Sequence, residues 1–481
     1  MNETLKTDLC VIGAGAAGLS VAAGAAQMGA ETILIEKGRM GGDCLNYGCV
    51  PSKALLAAAK AAHHGETAGA FGVRYPRPEI DFAAVRRHVQ EVIAAIAPND
   101  SVERFEALGV RVIKGAARFV GPDSLAVDER RIVARRIVVA TGSSPLVPPI
   151  EGLSRTPYFT NETIFDLETL PAHLVVIGGG PIGCELSQAF RRLGAKVSLV
   201  EMASLLPKDD PEPVALIRER LGDEGITLYE GASVTEVAPL DGNGDGKQTG
   251  VRVTLRQNGQ SREIAASHLL LAAGRRPNVE GLDLDRAGIA YDSHGIVTDA
   301  RLRTSNRKVF AAGDIAGGLQ FTHLAGHHAG VILKNALFRL PAKVERRAVP
   351  WVTYTDPELA QVGMTEAMAR DAGETVNVLR WPFAENDRAQ TERTTEGAVK
   401  VVVTPKGRIL GASIVGPQAG ELILPWTLAI ANRLKIGAMA TVIAPYPTLG
   451  EAGKRAAGNF YAPKLFNERT RRIVRWLAKL G

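Results

Sequence analysis

The run Asp8-Leu-Cys-Val-Ile-Gly-Ala-Gly-Ala-Ala-Gly18 begins as a short apolar strand and ends in three glycines, Gly13, Gly15 and Gly18. An alanine-rich stretch typical of a helix follows, and a second apolar strand, residues 32–35, ends at Glu36. In such a turn the first glycine makes the bend, the second admits a pyrophosphate, and the third lets helix and strand pack closely. The helix N-terminus then faces the phosphates, and Glu36 can accept hydrogen bonds from the adenosine ribose. The run therefore predicts a dinucleotide-binding βαβ unit.

The same pattern returns in Leu174-Val-Val-Ile-Gly-Gly-Gly-Pro-Ile-Gly183. The glycines of this turn are Gly178, Gly180 and Gly183, and Ile182 lies among them. A second strand, residues 197–200, ends at Glu201. Two such units imply two dinucleotides, which an electron relay between a nicotinamide and a flavin requires. A carboxylate suits a free 2′-hydroxyl and repels a 2′-phosphate, so Glu201 favours NADH over NADPH.

Composition sets wide limits around these two units. A chain of 481 residues suggests about three domains. Its 46% hydrophobic and 22% charged residues are typical of a soluble globular protein. The formal charge of +6 spreads along the chain except in the last fifteen residues, so nucleic acid is not the expected partner.

Targeting and cysteine usage indicate a cytoplasmic protein. The apolar residues 9–30 lack a basic leading region and contain glycines where a strand–turn–helix uses them, so we interpret them as a core element and not an export signal. No uninterrupted apolar run is long enough to predict a membrane span. Four cysteines are too few for a disulfide-stapled secreted scaffold. The cytoplasm is therefore the default location.

Two of those cysteines form the second notable motif, Gly41-Gly-Asp-Cys-Leu-Asn-Tyr-Gly-Cys-Val-Pro-Ser-Lys53. Pro51 suits the first turn of a helix that we expect to continue to Ala62. A thiolate near a helix N-terminus has a lowered pKa and is reactive. A disulfide between Cys44 and Cys49 closes so short a loop that it adds little stability, and no further ligands lie nearby for a metal. The pair is therefore predicted to be redox-active, whereas Cys10 and Cys184 are expected to be small core residues.

With these motifs in place, the sequence resembles the class I pyridine nucleotide-disulfide oxidoreductases, which include dihydrolipoyl dehydrogenase, glutathione reductase and mercuric reductase. The resemblance covers nearly the whole chain. Besides both glycine turns and the cysteine run, its markers are Ala140-Thr-Gly-Ser-Ser-Pro145, Ala273-Gly-Arg-Arg-Pro-Asn278, Val309-Phe-Ala-Ala-Gly-Asp314 and Tyr354-Thr-Asp-Pro-Glu-Leu-Ala-Gln-Val-Gly363.

The resemblance implies an α/β fold with two Rossmann-like dinucleotide-binding domains, for FAD and NAD, and an α+β C-terminal dimerisation domain. We expect the FAD domain at residues 1–152 and 276–345, the NAD domain at 153–275, and the dimerisation domain at 346–465. A basic amphipathic tail, 466–481, follows. The family architecture also implies a homodimer.

The resemblance also implies roles for individual residues. Cys49 would be the thiol beside the flavin and Cys44 the interchange thiol facing the acceptor, while Lys53 and Glu185 would lie near the flavin and the nicotinamide. The helix beginning near Thr322 would aim its N-terminus at the flavin ring. The expected FAD-binding residues are Gly13, Gly15, Gly18, Glu36, Lys37, Gly42, Lys53, Thr141, Gly142, Asp314 and Thr322. The expected NAD-binding residues are Gly178, Gly180, Ile182, Gly183, Glu201 and Gly274. No metal-binding residue is predicted.

The C-terminal motif departs from the disulfide reductases of this family. There a His-Pro-Thr run supplies a histidine, held by a glutamate five residues later, to the partner subunit's thiols. Here the run is Ala444-Pro-Tyr-Pro-Thr-Leu-Gly-Glu451, so Tyr446 replaces the histidine while Glu451 is kept. Tyrosine titrates near pH 10 and is a poor general base at neutral pH. Tyr446 can still donate a hydrogen bond to a thiolate or a bound ligand, and we expect it to be a catalytic residue together with Glu451. A tyrosine here is similar to mercuric reductase, but no cysteine follows Cys184 to form that enzyme's C-terminal pair.

The sequence therefore predicts an FAD-dependent NADH oxidoreductase that passes electrons through Cys44 and Cys49 to an acceptor. The acceptor classes left open are a small disulfide, a lipoyl-like group, a reactive oxidant and a soft metal ion. One alternative is direct electron transfer from FAD to oxygen or a quinone. Another is a redox-sensing protein that reports to a partner.

The basic tail, residues 466–481, has an apolar stripe surrounded by basic residues. We favour a terminal helix packed on the dimerisation domain, with contact to an anionic membrane surface or an acidic partner as the alternative. His323, His327 and His328 are expected to be packing or surface residues, with replacement of the missing base as the alternative.

Overall fold

The computed structural model describes residues 3–76, 78–241 and 248–480. Contacts divide the chain into two compact units. The first unit contains the residues up to Met202 together with Thr227–Val344. The second contains Ala203–Ile226 and the residues from Glu345 onward.

The first unit begins with the predicted βαβ pattern. Its elements, in chain order, are β1 (Glu3–Ile12), α1 (Ala16–Gln27), β2 (Thr32–Glu36), α2 (Gly42–Asn46), α3 (Cys49–Thr67), α4 (Phe82–Ile96), α5 (Val102–Ala107), β3 (Val110–Lys114), β4 (Ala117–Gly121), β5 (Ser124–Val127), β6 (Arg130–Val139) and β7 (Ser143–Pro145). Residues 9–12 of β1 are fully buried because the strand is central and covered on both faces, as in parallel sheets generally.

The second βαβ pattern lies in the next stretch. Its elements are β8 (His173–Ile177), α6 (Pro181–Arg192), β9 (Lys196–Glu201), α7 (Pro211–Asp223), β10 (Thr227–Glu230), β11 (Ala232–Asp241), β12 (Gln248–Gln257), β13 (Gln260–Ala266), β14 (His268–Leu271) and β15 (Arg275–Pro277). The first unit continues with β16 (Tyr291–Asp292), β17 (Gly295–Ile296), β18 (Val309–Ala311) and α8 (Thr322–Ala336). Of these elements, α7 belongs to the second unit.

Two sheets carry the glycine turns. In the described residues the first sheet has the order β3-β2-β1-β6-β5-β4, and β18 also pairs with β6. The pairings among β1, β2, β3, β6 and β18 are parallel. The second sheet is parallel with the order β10-β9-β8-β14. Each glycine turn therefore follows the carboxyl end of a parallel strand, where open α/β sheets bind their ligands.

Smaller sheets connect these parts. Strands β11, β12 and β13 form an antiparallel sheet, β15 pairs with β7, and β16 pairs with β17. Short 3₁₀ turns occur at Ala68–Phe71, Ala97–Asp100, Leu153–Arg155, Ile164–Asp166, Leu284–Ala287 and Gly313–Ala316. Buried side chains of β1, α1 and α8 share one hydrophobic core.

The second unit has its own core around an antiparallel sheet. Its elements after residue 345 are β19 (Pro350–Thr353), β20 (Glu358–Gly363), α9 (Glu366–Asp371), β21 (Asn377–Pro382), α10 (Asp387–Glu392), β22 (Ala398–Val403), β23 (Ile409–Gly416), α11 (Ala419–Leu422), α12 (Leu424–Ala431), α13 (Ile436–Thr441), α14 (Glu451–Gly458), α15 (Ala462–Leu465) and α16 (Glu468–Leu477). The sheet order is β19-β20-β23-β22-β21. Trp426 of α12 is 2% exposed and lies in this core.

The structure confirms the predicted fold class and corrects details of it. The helix after the cysteine run begins at Cys49 and ends at Thr67, five residues beyond the expected Ala62. The second strands of both βαβ patterns include Glu36 and Glu201 as their last residues. In the part of the chain that is described, no helix has both the length and the apolar character to cross a bilayer.

Candidate functional site

The first glycine turn is shaped by close backbone contacts. Gly13 has φ +103°, and a Cβ built on it would lie 2.4 Å from the carbonyl oxygen of Ala140. A Cβ on Gly18 would lie 1.8 Å from the carbonyl oxygen of Gly13. Glu36 accepts hydrogen bonds from the backbone N–H groups of Ala14, at 2.6 Å, and Gly38, at 2.5 Å. The turn thus needs glycine at both positions, and Glu36 holds the turn's backbone.

The second turn repeats this construction. Gly178 has φ +113°, and a Cβ on Gly183 would lie 1.8 Å from the carbonyl oxygen of Gly178. Glu201 accepts a 2.6 Å hydrogen bond from the N–H of Gly179. A Cβ on Gly180 would have no described atom within 4 Å. Crowding within the protein therefore explains Gly183, whereas the glycine at 180 leaves open space at a helix N-terminus, as a bound pyrophosphate needs.

The cysteine run is attached to the first turn. The N–H of Gly41 donates a 2.9 Å hydrogen bond to the carbonyl of Ala14. A Cβ on Gly42, whose φ is +59°, would lie 2.6 Å from the Cα of Gly15. The two glycines let backbones meet where a flavin dinucleotide would bind. This close approach fits the expected FAD, because it positions the cysteines beside the phosphate turn.

Cys44 and Cys49 are both free thiols in this structure. Cys44 lies in α2 and Cys49 is the first residue of α3. The Oγ1 of Thr322, at the start of α8, lies 3.5 Å from the Sγ of Cys49. Two helix N-termini therefore meet at Cys49, and each favours negative charge.

The two thiols have opposite pKa shifts. The pKa of Cys49 is lowered to about 6, chiefly by a hydrogen bond from Cys44. A hydrogen bond from Thr322 and the charge of Lys53 add to this shift, and burial opposes it. The hydrogen bond to Cys49, reinforced by burial, raises the pKa of Cys44. At neutral pH the pair thus holds a thiolate on Cys49 and a protonated thiol on Cys44. The thiolate is the reactive form of cysteine.

An ion pair connects the cysteine helix to the second glycine turn. Lys53 Nζ of α3 lies 2.8 Å from Oε2 of Glu185 in α6. The Glu185 side chain is 4% exposed and that of Lys53 is 37% exposed. The structure thus brings together the two residues expected near the flavin and the nicotinamide.

A polar network beside the cysteines was missed by the sequence analysis. Arg275 Nε donates a 2.7 Å hydrogen bond to Ser143 Oγ, which in turn donates a 2.5 Å hydrogen bond to Asp314 Oδ2. The Arg275 guanidinium also lies 3.2 Å from Oδ1 of Asp43, the neighbour of Cys44. Burial raises the pKa of Asp314 despite the hydrogen bond from Ser143 and the charge of Arg275. The network holds Asp314 through Oδ2, so its Oδ1 could accept a hydrogen bond from a ribityl hydroxyl of the flavin.

The remaining expected cofactor residues lie near the two turns. Thr141 and Asn278 exchange two hydrogen bonds, both 2.9 Å long. Gly142 has φ +69° and Gly274 has φ +116°. Lys37 follows β2 and is exposed, and Ile182 in the second turn is 37% exposed.

Tyr446 and Glu451 belong to the second unit, whereas Cys44 and Cys49 belong to the first. The Tyr446 hydroxyl donates a 2.9 Å hydrogen bond to Oδ2 of Asp387, and this bond raises the pKa of Tyr446. Glu451 is the first residue of α14. Tyr446 is therefore a hydrogen-bond donor, as its residue type predicts, and is even less able to act as a base.

The three histidines of α8 have separate environments. His328 is buried, and its Nδ1 accepts a 3.2 Å hydrogen bond from the N–H of Gly313. The ring of His323 stacks on Phe321, with centroids 5.2 Å apart. His323 and His327 are exposed. Across the described ranges, no group of three or more His, Cys, Asp or Glu residues is arranged to hold a metal ion.

Comparison with known proteins gives the family. Residues 7–329 match the family described as pyridine nucleotide-disulphide oxidoreductase, and residues 349–457 match its dimerisation domain. Mercuric reductase from Bacillus cereus is 36% identical, covering 94% of this chain and 71% of that protein. Dihydrolipoyl dehydrogenase from Thermus scotoductus is 37% identical, covering 94% of this chain and 97% of that protein.

Solved structures agree. The HOCl-induced flavoprotein disulfide reductase RclA from Escherichia coli, as its Cu(II) complex, has a TM-score of 0.82 at 29% identity and covers 93% of this chain and 99% of that one. LpdA from Mycobacterium tuberculosis has a TM-score of 0.85 at 27% identity, covering 94% of this chain and 99% of that one.

The chain belongs to the pyridine nucleotide-disulphide oxidoreductase family. It is an FAD-dependent NAD(P)H oxidoreductase with a redox disulfide, and its dimerisation domain indicates a homodimer. The predicted family, enzyme class and cofactors are therefore confirmed.

Proposed function

We propose that this enzyme uses NADH and reduces a soft metal ion bound by the sulfurs of Cys44 and Cys49. The proposal rests on two free thiols, Cys44 and Cys49, with a raised pKa for Cys44, and on Tyr446, whose hydroxyl donates to Asp387 and so offers Cys44 no base. The glycine turns and the cysteine run would hold FAD, which would supply two-electron transfer from NADH to the acceptor at this pair. The protein's own residues decide which acceptor can then react.

Thiol–disulfide exchange is poorly supported by the protonation of Cys44. Only a thiolate attacks a disulfide, so a Cys44 with a raised pKa needs a base to remove its proton. The residue at the family's base position is Tyr446, whose hydroxyl already donates to Asp387. Because its own pKa is raised, this phenol cannot take the proton at neutral pH.

A soft metal ion does not need that base. Metal coordination deprotonates a thiol outright, so the ion itself displaces the Cys44 proton, and soft thiolates select soft ions. One Hg²⁺ takes the two electrons of NADH and leaves Hg⁰, NAD⁺ and one proton; Cu²⁺ takes one electron to Cu⁺, so two ions are needed. The relatives named mercuric reductase and the Cu(II) complex of RclA are in keeping with this acceptor class.

The preference for NADH rests on Glu201. Its carboxylate ends β9 and accepts a hydrogen bond from Gly179, which fixes a negative charge beside the second glycine turn. A ribose 2′-hydroxyl can donate to such a carboxylate, whereas a 2′-phosphate is repelled. NADH is thus the better ligand.

The proposal includes the expected residue roles, domain limits and location. Cys49 would act beside the flavin, Cys44 would meet the acceptor, and Lys53 and Glu185 would lie near the flavin and the nicotinamide. The FAD and NAD domains keep the limits given by the sequence analysis. The proposed location is the cytoplasm, because its reducing conditions keep cysteine thiols such as Cys44 and Cys49 free.

The test compares acceptors and cysteine variants of the purified, FAD-loaded enzyme. NADH oxidation is measured with Hg²⁺ as its cysteine complex, with Cu²⁺ and with oxidised lipoamide. We expect turnover with the metal ions, little with lipoamide, and loss of metal-dependent turnover in both Cys44→Ser and Cys49→Ser. Cys10→Ala, which changes a buried cysteine of β1, is the matched control and keeps full activity.

Other outcomes would replace the proposal. Fast turnover with oxidised lipoamide would show that the enzyme carries out thiol–disulfide exchange. Oxygen or quinone reduction that survives Cys44→Ser would favour direct oxidation of the flavin. Negligible turnover with every acceptor would leave redox sensing. Adding NADH anaerobically also tests the relay, because a long-wavelength thiolate-to-flavin band is expected in the wild type and not in Cys49→Ser.

A further inference from the structure

The C-terminal helix α16 is exposed along its whole length. None of its residues is buried, and Val474 and Trp476 are 58% and 62% exposed. Its described hydrogen bonds outside the helix are local, such as the 3.1 Å bond from Thr470 Oγ1 to the carbonyl of Lys464. The expected packing of this helix on the dimerisation domain is therefore contradicted for the single chain. Amphipathicity in the sequence shows which face is apolar, but not what covers it.

The helix has two distinct faces. At 3.6 residues per turn its apolar side chains fall on one side and its basic side chains on the other, except Arg469, which falls on the apolar side next to Trp476. The apolar face contains Ile473, Val474, Trp476 and Leu477, and Leu480 follows beyond the end of the helix; all of them are exposed. The basic face contains Arg471, Arg472 and Arg475, and Lys479 follows beyond the helix. Just before the helix, Leu465 and Phe466 add further exposed apolar surface, at 54% and 75%.

We propose that α16 binds the surface of an anionic membrane, lying in the plane of the interface with its apolar face toward the acyl chains. Exposed Trp and Leu side chains opposite a face rich in arginine define this kind of interfacial helix. Charge complementarity selects anionic lipid. Five basic residues between 469 and 479 stand against one acidic residue, Glu468, and Arg471 lies 3.1 Å from its carboxylate.

A second copy of the chain is a poorer occupant. A symmetric contact through the apolar faces of α16 would place two arginine-rich helices side by side, with Arg469 of each copy at the contact, and the like charges of the two helices would repel each other. A negatively charged lipid surface instead attracts each basic side chain that comes within the Debye length. The helix would thus hold the enzyme at a membrane without crossing it.

The test measures binding of the FAD-loaded enzyme to vesicles. Co-sedimentation is carried out with phosphatidylcholine vesicles that contain or lack phosphatidylglycerol, across a range of salt concentrations. We expect binding to the anionic vesicles that weakens as salt rises, and at least about tenfold weaker partitioning to the neutral ones. The variant Arg471→Gln/Arg472→Gln/Arg475→Gln should lose at least about tenfold of the anionic binding.

The matched control removes three exposed arginines elsewhere, as Arg256→Gln/Arg262→Gln/Arg307→Gln. It should bind anionic vesicles like the wild type, and both triple variants should keep the wild-type FAD content and NADH-dependent flavin reduction. Equal binding by the two triple variants would overturn the proposal, because general positive charge would then explain the attraction.

Two further results would also overturn it. Absence of vesicle binding would leave an acidic protein partner as the occupant. The variant Trp476→Ser/Leu480→Ser should reduce vesicle binding and leave the sedimentation coefficient unchanged. If it instead converts a dimer to monomers, the apolar face of α16 is a subunit contact. Because these readouts do not depend on the acceptor, they stand or fall separately from metal reduction.

Discussion

Lys53 Nζ lies 2.8 Å from Glu185 Oε2, so an ion pair joins the helix that carries Cys49 to the helix that follows the second glycine turn. Glu185 is almost fully buried, and a buried carboxylate is stable only with such partners. Within the first unit, the pair therefore ties the helix that carries Cys49 to the helix expected to face the nicotinamide.

Lys53→Met should weaken both stability and catalysis. Because the buried carboxylate of Glu185 loses this cation, we expect the free energy of unfolding to fall by about 1–3 kcal/mol, less than for a fully buried pair. Displacement of the two helices should slow flavin reduction by NADH on the order of tenfold or more. Urea denaturation and stopped-flow flavin absorbance measure the two effects.

Lys60→Met is the control for this change. Lys60 is an exposed residue of the same helix, so its loss should alter neither quantity. If Lys60→Met and Lys53→Met slow flavin reduction equally, the ion pair has no role in positioning the site.

The Cys49 thiolate should depend on the hydroxyl of Thr322. The pKa of Cys49 is lowered to about 6, so the thiolate is present above this pH and is lost as the pH falls through it. Thr322→Val removes a donor to the thiolate, which should shift the midpoint upward by up to about one unit. Thr322→Ser keeps the hydroxyl and should titrate like the wild type.

The pH dependence of thiolate absorbance in the reduced enzyme gives this midpoint. Identical midpoints in Thr322→Val and the wild type would show that the 3.5 Å contact does not stabilise the thiolate.

Two glycines of the second turn should respond differently to alanine. A Cβ on Gly180 meets no described atom within 4 Å, and its φ of −74° suits any residue. Gly180→Ala should therefore fold with normal FAD content but raise the KM for NADH about tenfold or more, because the methyl group occupies space meant for the pyrophosphate. A Cβ on Gly183 would lie 1.8 Å from the Gly178 carbonyl, so Gly183→Ala should fold poorly.

Steady-state kinetics and flavin content distinguish the two variants. A Gly180→Ala enzyme with an unchanged KM for NADH would mean that the open space at this turn is not the nucleotide site.

The parts of the site that the sequence predicted are local in the chain. The glycine spacing and the acidic residue ending each second strand depend on neighbouring residues, whose backbone requirements leave a readable pattern. Cys44 and Cys49 stand out for the same reason. The start of α8 at Thr322 was instead implied by the family resemblance.

The network around Arg275 shows what local patterns cannot supply. Arg275 and Ser143 are separated by 132 residues and Ser143 and Asp314 by 171, so their contact depends on how strands from distant parts of the chain meet. Arg275 belongs to the run Ala273–Asn278, which is one of the markers of the family resemblance. That run indicates that Arg275 matters for function, but it does not show which residues Arg275 contacts. The exposure of α16 was likewise invisible, because amphipathicity does not specify a neighbour.

The buried Lys400 of the second unit should be a major determinant of stability there. Its Nζ lies 2.9 Å from Asp210, 2.8 Å from Glu212 and 3.0 Å from Glu366, and its side chain is 7% exposed. Burial alone would lower the pKa of Lys400, but the hydrogen bonds to these carboxylates raise it. The ammonium group therefore stays charged at the centre of three acids.

Lys400→Met leaves the buried Asp210 without this cation, and we expect the free energy of unfolding to fall by about 3–5 kcal/mol. Adding Asp210→Asn should recover part of the loss, because asparagine can still cap α7, whose Glu212 N–H donates to residue 210 at 3.1 Å. Lys406→Met, at an exposed position of the same unit, should change little.

Urea denaturation followed by tryptophan fluorescence suits this measurement, since all four tryptophans, Trp351, Trp381, Trp426 and Trp476, belong to the second unit.

The effect of Lys400→Met on the free energy of unfolding should also depend on pH. Hydrogen bonds from Arg380 and Lys400 lower the pKa of Glu212 from 4.5 to about 2. The stabilisation from its negative charge is therefore fully present above pH 4.5 and is lost as the pH falls toward 2. The difference between wild type and Lys400→Met should therefore narrow in acid. A difference that stays constant from neutral pH to pH 2 would mean that lost packing of the lysine stem, and not its charge, causes the destabilisation.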